Sequence, residues 1–407
     1  MNVNRAYAAL DPTARTMHQL LVLAPGEHVS VEAAAALADL PRAQVQQVLD
    51  QLVEHRLLTH TAGRYRQPAQ ASAHALSARG DAHAPEADAA LHRILTWYLH
   101  TAHAAATALD PHHWHAEAAP PPRPPRVFTS THALDWLAEE LHALRMTVRL
   151  AADLGHHRLS WQLHEAALPY LRLRRSFTLW QQTLSWAQQA ARAAADRVGQ
   201  AVTATSQATL LRDMGHLERA AQEYAHALEL WETTARMPGY AHTLIEYGHL
   251  DVSADRPGRA WLKFTEALEL CQATPDMGLE LRARVGRGEA ALGRGQAQEA
   301  LVCFRAAVET PATAPALRLR ALTGMATAHL RGADPIAAAQ ALQRADLLIP
   351  LAPGPVASAE VDLVRAELHA DTPDLRRTHL VRAYTVLRSV GDPRASPVQA
   401  QLQDLRV

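Results

Sequence analysis

Apolar residues near the start of the chain recur at the three- and four-residue spacing of amphipathic helices. Asp11 followed by Pro12 is typical of a helix start, and Ser30 is typical of an N-cap, because its hydroxyl accepts a hydrogen bond from an otherwise unpaired backbone N–H. The pattern predicts helices over residues 13–23, 30–38 and 42–54. Leu40-Pro41 predicts a turn before the last of them, so the layout is that of a helix-turn-helix.

Two short runs that favour β-structure follow the third helix. Residues 57–60 and 64–66 flank Thr61-Ala62-Gly63, where a glycine suits a tight hairpin loop. Three helices followed by a hairpin make a winged helix. We therefore predict a winged helix-turn-helix domain over residues 1–70.

A linker that contains one long helix is predicted next, over residues 71–130. The stretch 67–85 is rich in Ala, Ser, His and Gly without clear periodicity, which leaves room for a short helix, whereas 86–109 has a strong helical pattern. The run DPHHWHAEAAPPPRPP, residues 110–125, contains prolines that favour an exposed, stiff spacer. This linker is expected to separate two domains.

A pattern of small, aromatic and small residues recurs at an interval of 40 residues in the second half of the chain. The clear copies are Ala220/Tyr224/Ala227, Ala260/Phe264/Ala267 and Ala300/Phe304/Ala307. Weaker copies are Trp180/Leu184/Ala187 and Ala338/Leu342/Ala345. Gly248 and Gly288 hold equivalent places in the preceding helices, so the repeating unit is about one helical hairpin.

Repeats of this kind predict a stack of helical hairpins. A small residue lets two helices approach closely, and the aromatic ring fills the gap to the next hairpin, so neighbours complete a core that no single unit has. The pattern resembles the tetratricopeptide repeat, although its interval is longer than the usual length of about 34 residues. We predict an all-α chain, in which residues 131–407 form a tetratricopeptide-like α-solenoid.

Composition limits the classes of partner and compartment. A net charge of -1 excludes a surface that is basic throughout, as a general binder of nucleic acid or anionic membranes requires. The sequence has neither a long uncharged apolar run nor an apolar signal segment, so we expect no membrane contact. Cys271 and Cys303 lie beside apolar neighbours and are predicted to be buried free thiols, which suits the cytoplasm.

The chain contains a single lysine, Lys263, and this excludes much chemistry. A phosphate-binding loop and a pyridoxal enzyme both need a lysine, and Lys263 lies in the middle of a predicted helix. The sequence HEAAL at His164 lacks the second histidine of the zinc motif HExxH. We therefore predict no catalytic residues, no cofactor and no enzyme activity.

Histidines cluster near the predicted linker, at His100, His103, His112, His113 and His115. His100 and His103 can share one face of a helix and so bind a metal jointly. No strong cysteine or carboxylate constellation accompanies them in the sequence, so no metal is predicted. A metal- or ligand-responsive sensor is the weakest of the functional alternatives.

The third predicted helix and the hairpin carry side chains of the types that contact DNA. The candidate contacts are Arg42, Gln44, Gln46 and Gln47 in the major groove, with Arg64 and Arg66 on phosphates. Between Asp11 and Gln67, however, five arginines face six acidic residues. Because the basic excess that supplies nonspecific affinity is missing, a packing module is favoured over a DNA reader.

The first helix of each hairpin lines the concave groove of such arrays. Counting from the glycines places these polar residues near the groove: Arg212, His242, His249, Arg282, Glu289 and Arg320. Polar side chains on this face suit a peptide or an acidic segment of a partner protein.

Several segments, in this order, resemble one family. They are LDPTARTMHQLLVLAPGEHVSVEAAAALADLPRAQVQQVLDQLVEHRLLTHTAGRYR, LHRILTWYLHTAHAAATALDPHH and HALDWLAEE. The chain is similar to the C-terminal part of actinobacterial antibiotic-regulatory-type NB-ARC proteins, in which a winged helix precedes tetratricopeptide repeats. Those relatives usually carry an NB-ARC ATPase before the winged helix, whereas here the chain starts at the winged helix. A phosphate-binding loop needs a lysine, and the single lysine, Lys263, lies in the middle of a predicted helix, so ATP-driven switching within this chain is not expected.

The residues and the resemblance together imply a non-enzymatic regulator of transcription or signalling that acts as a scaffold. The repeats would bind a protein or peptide partner, and the winged helix would mediate contact within the assembly. The alternative is a DNA-binding transcription factor whose repeats sense a ligand or dimerise. The sequence leaves the partner and the oligomeric state, including a homo-oligomer, open.

Overall fold

The computed structural model describes residues 3–79, 84–122, 124–352 and 354–405, and this part of the chain is mostly helical. Residues 1–2, 80–83, 123, 353 and 406–407 lie outside the described part, so the predictions for these positions are not compared with the structure. Among the described residues, no helix has both the length and the apolar character needed to cross a membrane.

The chain divides into two compact units. Unit 1 consists of Met1–Ala105 and Glu117–Ala167, and unit 2 consists of Ala106–Ala116 and Leu168–Val407. The division of the sequence at residues 70 and 130 stays a prediction.

The elements predicted near the start of the chain are present in unit 1, together with a short first helix, α1, that the sequence did not predict. They are α1 (Val3–Ala8), α2 (Pro12–Leu21), α3 (Val31–Ala38), α4 (Arg42–Glu54), β1 (Thr59–Thr61) and β2 (Arg64–Arg66). The predicted caps are confirmed. The Asp11 carboxylate accepts a hydrogen bond from the backbone N–H of Ala14 at 2.9 Å, and the Ser30 hydroxyl accepts one from Ala33 at 3.3 Å.

The two strands form an antiparallel hairpin around Ala62 and Gly63, which have φ values of 49° and 77°. A positive φ is easily adopted by glycine, and this is the position at which the sequence predicted the loop. The paired residues are Thr59 with Arg66, His60 with Tyr65 and Thr61 with Arg64. Val29, which precedes α3, forms an additional antiparallel bridge with Tyr65.

One face of α4 contributes to the core of this region. Val45, Leu49 and Leu52 are fully buried, as the pattern predicted. Burying a side chain of this size contributes about 1.5–3 kcal/mol. Packing therefore stabilises α4, although Pro41 at its start provides no side-chain cap.

The remaining helices that begin in unit 1 are α5 (Ala69–Arg79), α6 (Ala84–Leu109), α7 (Ser130–Asp153) and α8 (His157–Leu173). The stretch expected to be a linker thus holds α5, which packs against α2 through Ala71 and Ala75 and through the ring of His74. The sequence left room for a short helix here, and because a contact surface of alanines gives almost no hydrophobic periodicity, the pattern did not fix its bounds.

Unit 2 is a series of helices, each of which packs against the next. After the end of α8 they are α9 (Phe177–Ala193), α10 (Arg197–Asp213), α11 (Leu217–Glu232), α12 (Met237–Ser253), α13 (Pro257–Ala273), α14 (Met277–Gly293), α15 (Ala297–Glu309), α16 (Pro315–Arg331), α17 (Pro335–Asp346), α18 (Val356–Leu368), α19 (Pro373–Ser389) and α20 (Ala395–Asp404). The first helices of successive hairpins, α10, α12, α14, α16 and α18, also pack side by side.

Two central aromatics of the repeat, Phe264 and Phe304, fill spaces that glycines leave open. A Cβ atom would lie 2.7 Å from the Phe264 ring at Gly248 and 2.3 Å from it at Gly286, so a side chain at either position would overlap the ring. Phe264 is fully buried, and Phe304 has the same arrangement in the next repeat. The predicted role of the aromatic, to fill the gap between neighbouring hairpins, is confirmed.

The two cysteines and the single lysine of the chain are packed among other side chains of the repeats. Cys271 and Cys303 are buried and not bonded to each other, as predicted, and burial raises the pKa of the Cys271 thiol to about 11. The Lys263 ammonium lies 2.6 Å from the Asp251 carboxylate and 4.0 Å from the centre of the Tyr247 ring. Lys263 thus forms an ion pair that joins α13 to α12.

Candidate functional site

Charged side chains from successive first helices of unit 2 meet on one surface. We call this surface the polar face and define it by Arg172, Arg212, Asp213, Glu246, His249, Arg282, Glu289 and Arg320. The residues come from α8, α10, α12, α14 and α16. Stacking brings equivalent positions of consecutive repeats together, so side chains far apart in sequence form one cluster.

Glu246 of α12 lies at the centre of the polar face. Its carboxylate accepts hydrogen bonds from Arg212 at 2.8 Å and from Arg282 at 2.5 Å, and it lies 3.5 Å from Arg172. Burial alone would raise the pKa of this carboxyl, but the three guanidinium groups hold it well below its usual value. Glu246 is therefore ionised throughout the ordinary pH range.

Arg212 connects α10 with α12. Its guanidinium donates to the backbone oxygen of Glu246 at 2.9 Å and to the Asp213 carboxylate at 3.0 Å. Arg172 lies 3.2 Å from the same carboxylate group. The Arg212 side chain is only 5% exposed, so these carboxylates, rather than water, stabilise its positive charge.

A second group of the polar face joins α12, α14 and α16. Arg320 donates two hydrogen bonds to Glu289, at 2.5 and 2.6 Å, and a third to Nδ1 of His249 at 3.1 Å. Nδ1 must be unprotonated to accept the last bond. Burial and the neighbouring Arg320 both lower the pKa of His249, in agreement with a neutral ring.

A segment of the same chain lies against the polar face. We call residues 110–116 the tethered segment; it follows α6, and residues 113–121 have no regular secondary structure. The Asp110 carboxylate lies 3.4 Å from Arg282, and Nε2 of His112 accepts a hydrogen bond from the backbone N–H of Ala314 at 2.8 Å. His112 and Ala116 are buried, so the expectation of an exposed spacer is wrong for this part of the loop.

The indole of Trp114 supplies the apolar contact of the tethered segment. It stacks on the His242 ring, with 5.5 Å between centroids and 26° between planes, and it meets the edge of Trp231 at 5.6 Å. Trp114 also packs against the buried apolar cluster of α12, α13 and α14. His242, predicted to lie near a binding groove, thus contacts an aromatic side chain of the chain itself.

The charges of the polar face balance when the tethered segment is included. Around Glu246, three guanidinium groups face two carboxylates from the helices, which leaves one positive charge in excess. Asp110 supplies a third carboxylate at Arg282. Partial burial opposes ionisation of the Asp110 carboxyl, but Arg282 lowers its pKa below the ordinary value. The negative charge of Asp110 on the tethered segment therefore balances the excess positive charge on the helices.

The residues predicted to contact DNA fall into two groups. Gln44, Gln47, Arg42 and Arg66 are exposed, although Arg42 pairs with Glu32 at 2.8 Å and Arg66 with Glu27 at 3.2 Å. Gln46 and Arg64 are engaged within unit 1: Gln46 donates to the Tyr65 hydroxyl at 2.7 Å, and Arg64 forms two hydrogen bonds with Glu140 of α7.

The histidine cluster is divided between the two units. His100 and His103 belong to α6 in unit 1, where His103 lies 3.1 Å from the Glu165 carboxylate. His112, His113 and His115 belong to the tethered segment in unit 2.

Comparison with known proteins gives one curated relative. Over 303 residues, or 72% of this chain, the sequence is 29% identical to Regulatory protein AfsR of Streptomyces coelicolor. This chain is similar to AfsR. It spans about 30% of the length of that relative. No protein-family profile matches the sequence.

Three solved structures of repeat proteins align with this chain. A signal transduction ATPase with numerous domains and a tetratricopeptide repeat sensor, from Pyrococcus horikoshii, is 12% identical, with a TM-score of 0.49 over 98% of this chain and 64% of its own. A tetratricopeptide repeat protein from Parabacteroides merdae is 15% identical, with a TM-score of 0.46 over 67% and 96%. A Rap protein complexed with Competence and Sporulation Factor is 12% identical, with a TM-score of 0.47 over 69% and 88%.

Sequence reasoning missed part of the polar face. Arg172 lies 40 residues before Arg212 and would have been found by extending the repeat one unit towards the N-terminus. Asp213 and Glu246 carry no such signal, because acidic residues within helices are usually solvated. The tethered segment was also missed, since its proline-rich continuation is typical of an exposed loop.

Proposed function

We propose that this chain is a regulatory interaction protein whose tetratricopeptide-like repeats bind a non-helical segment of a partner protein at the polar face. The observation that carries the proposal is that a segment of this kind already lies against the polar face, through an ion pair with Arg282 and through a hydrogen bond to Ala314 and an aromatic stack on His242 beside it. Such a surface recognises side chains at defined spacing.

The chemistry of the polar face supports a binding role. Charge-assisted hydrogen bonds between guanidinium and carboxylate groups hold each side chain in place before a partner arrives. A surface that is ordered in advance loses less conformational entropy on binding. The regulatory part of the proposal is supported by the likeness to Regulatory protein AfsR, of which this chain spans about 30%.

For the N-terminal region we propose a winged helix that acts as a packing module. The proposal is supported by the helices α2, α3 and α4, by the hairpin that follows them and by the bridge from Val29 to Tyr65. Arg64, a proposed phosphate contact, is instead bound to the buried carboxylate of Glu140. This engagement favours packing over DNA binding.

Selection from a library of random peptides displayed on phage tests the proposal. We expect peptides selected on the purified full chain to bind Arg282→Gln at least tenfold more weakly, because one charge-assisted contact of about 1.5–3 kcal/mol is removed. The control is Arg219→Gln, which changes an exposed arginine of α11. Selected peptides that bind both variants as tightly as the unchanged chain would exclude the polar face.

A DNA-binding regulator is the second candidate, supported by the exposure of Gln44 and Gln47 on α4. It predicts that the full chain selects a specific sequence from random duplex DNA, and that Gln44→Ala with Gln47→Ala relaxes this preference. Selection that enriches no sequence would remove this candidate and leave the packing module.

A further inference from the structure

The tethered segment contacts the polar face as a bound peptide would. Asp110 directly follows α6, and its carboxylate accepts a hydrogen bond from the backbone N–H of His112 at 3.3 Å, which turns the chain sharply. From residue 113 onwards the segment has no secondary structure of its own. Its position in unit 2 therefore depends on side-chain contacts with the repeats.

Two side chains of the segment, four positions apart, supply its main anchors. The Asp110 carboxylate faces Arg282 of α14, and the Trp114 indole stacks on His242 of α12. One contact is an ion pair and the other is a planar stack, so the two require different chemistry. A carboxylate for Arg282 of the polar face and, four residues later, an indole for the neighbouring His242 are consequently the features that this surface of the repeats recognises.

The backbone of the segment passes close to the start of α14. A Cβ atom at Gly278 would lie 3.3 Å from Cα of His112 and 3.4 Å from its backbone oxygen. The absence of a side chain at Gly278 leaves room for a chain at this point. Nε2 of His112, which accepts from the N–H of Ala314, fixes the same stretch on its other side.

The anchors are open enough to be exchanged. The Asp110 side chain remains 44% exposed, and its contact with Arg282 is 3.4 Å, longer than the 2.5 Å between Arg282 and Glu246. Trp114 is only partly buried. By contrast, the Arg212 and Glu246 side chains of the polar face are 5% and 2% exposed. Removing the segment would uncover a surface that stays internally paired.

We propose that the tethered segment is a built-in ligand of the polar face, and that the partner is a protein segment with a carboxylate and, four residues later, a tryptophan, which displaces it. This inference rests on the proposed function and specifies its ligand. The segment competes with the partner at a high effective concentration because it is covalently attached. Its release is the step by which partner binding is regulated.

A peptide made of residues 108–117, labelled with fluorescein, tests the proposal by fluorescence anisotropy. The full chain with Asp110→Ala and Trp114→Ala has lost the anchors of its own segment, so it should bind this peptide about tenfold or more tighter than the unchanged chain does. A peptide that carries the same two substitutions should not bind. Equal affinity of the peptide for both chains, or no binding to the substituted chain, overturns the proposal.

Two glycines provide a matched pair that locates the binding site. Adding Gly278→Leu to the doubly substituted chain should abolish peptide binding, because the new side chain occupies the path of the backbone. Gly258→Leu, at the same position of α13 with nothing within 4 Å, should leave binding unchanged. Binding that survives Gly278→Leu places the peptide elsewhere and overturns the proposal.

If the substituted chain does not fold, amide hydrogen exchange of the unchanged chain tests the proposal instead. Unlabelled peptide at about 1 mM, the range of effective concentration for short tethers, should raise the exchange rate of amides 112–116 severalfold. Unchanged exchange there overturns the built-in ligand. The proposed function fails separately, if the displayed library yields no peptide whose binding depends on Arg282. Selected peptides that lack a carboxylate and a tryptophan at this spacing leave the proposed function intact and overturn only this inference.

Discussion

The guanidinium of Arg64 forms two parallel hydrogen bonds with the carboxylate of Glu140, at 2.7 and 2.9 Å, and joins the hairpin to α7. The Glu140 side chain is 1% exposed, and the hydroxyl of Tyr98 donates to it at 3.0 Å. A buried carboxylate that loses its cation is strongly unfavourable. Arg64 therefore has a structural role that its place on a hairpin did not indicate.

The two arginines of β2 should differ in their effect on stability. We expect Arg64→Ala to lower the free energy of unfolding by about 3–5 kcal/mol, since it leaves Glu140 buried without its partner. Arg66→Ala, which removes a largely exposed pair with Glu27, should change it by less than about 0.5 kcal/mol. Urea unfolding of the full chain measures both.

The double variant of Arg64→Ala with Glu140→Gln provides the control. It should recover much of the lost stability, because it removes the unpaired charge. If Arg64→Ala and Arg66→Ala prove equally mild, the pair with Glu140 does not stabilise the protein.

Glu246 should be the most sensitive residue of the polar face. Glu246→Gln leaves the guanidinium groups of Arg212 and Arg282 buried near a neutral amide, and we expect a loss of about 3 kcal/mol in stability. Glu269→Gln, on an exposed position of α13, serves as the matched control and should change little. Thermal unfolding followed by circular dichroism compares them; similar melting temperatures for the two variants would contradict the expectation.

Protonation of His18 should make the folded protein less stable at mildly acidic pH. Burial, assisted by the nearby His74, lowers the pKa of His18 from 6.5 to about 4. The unfolded chain therefore takes up this proton first, so stability falls as the pH drops from 6.5 and levels off below about 4. The full difference corresponds to about 3 kcal/mol.

Replacing this histidine isolates its contribution to the pH dependence. The variant His18→Gln should lose less stability than the unchanged chain between pH 6.5 and pH 4. Urea midpoints measured across this interval provide the comparison. Parallel curves for the two proteins would assign the pH dependence to other groups.

Substitution of glycine should have opposite effects at two positions of the repeats. Gly286→Ala places a methyl group 2.3 Å from the Phe264 ring and should destabilise the protein by about 1–3 kcal/mol through overpacking. Gly258→Ala meets nothing within 4 Å and should stabilise it by about 0.5–1 kcal/mol, because alanine favours the helix. Thermal unfolding distinguishes them, and a stabilising Gly286→Ala would mean that Phe264 moves freely.

The sequence by itself determined the local structure of this protein. The span predicted for α4, the caps at Asp11 and Ser30 and the loop at Gly63 depend on residues close together in the chain. The helix propensities and hydrogen-bonding groups of those residues act over short distances. The repeat of Phe264 and Phe304 was also readable, because the same packing problem recurs at a regular interval.

The tertiary structure alone decided which polar residues became paired and buried. Arg64 and Glu140 are 76 residues apart, and Arg282 and Asp110 are 172 residues apart. No local pattern distinguishes these side chains from solvated ones. Whether a charge on a helix faces water or a second charge depends on which elements pack beside it. For this reason the helices could be predicted from the sequence, whereas the network around Glu246 and the position of Trp114 could not.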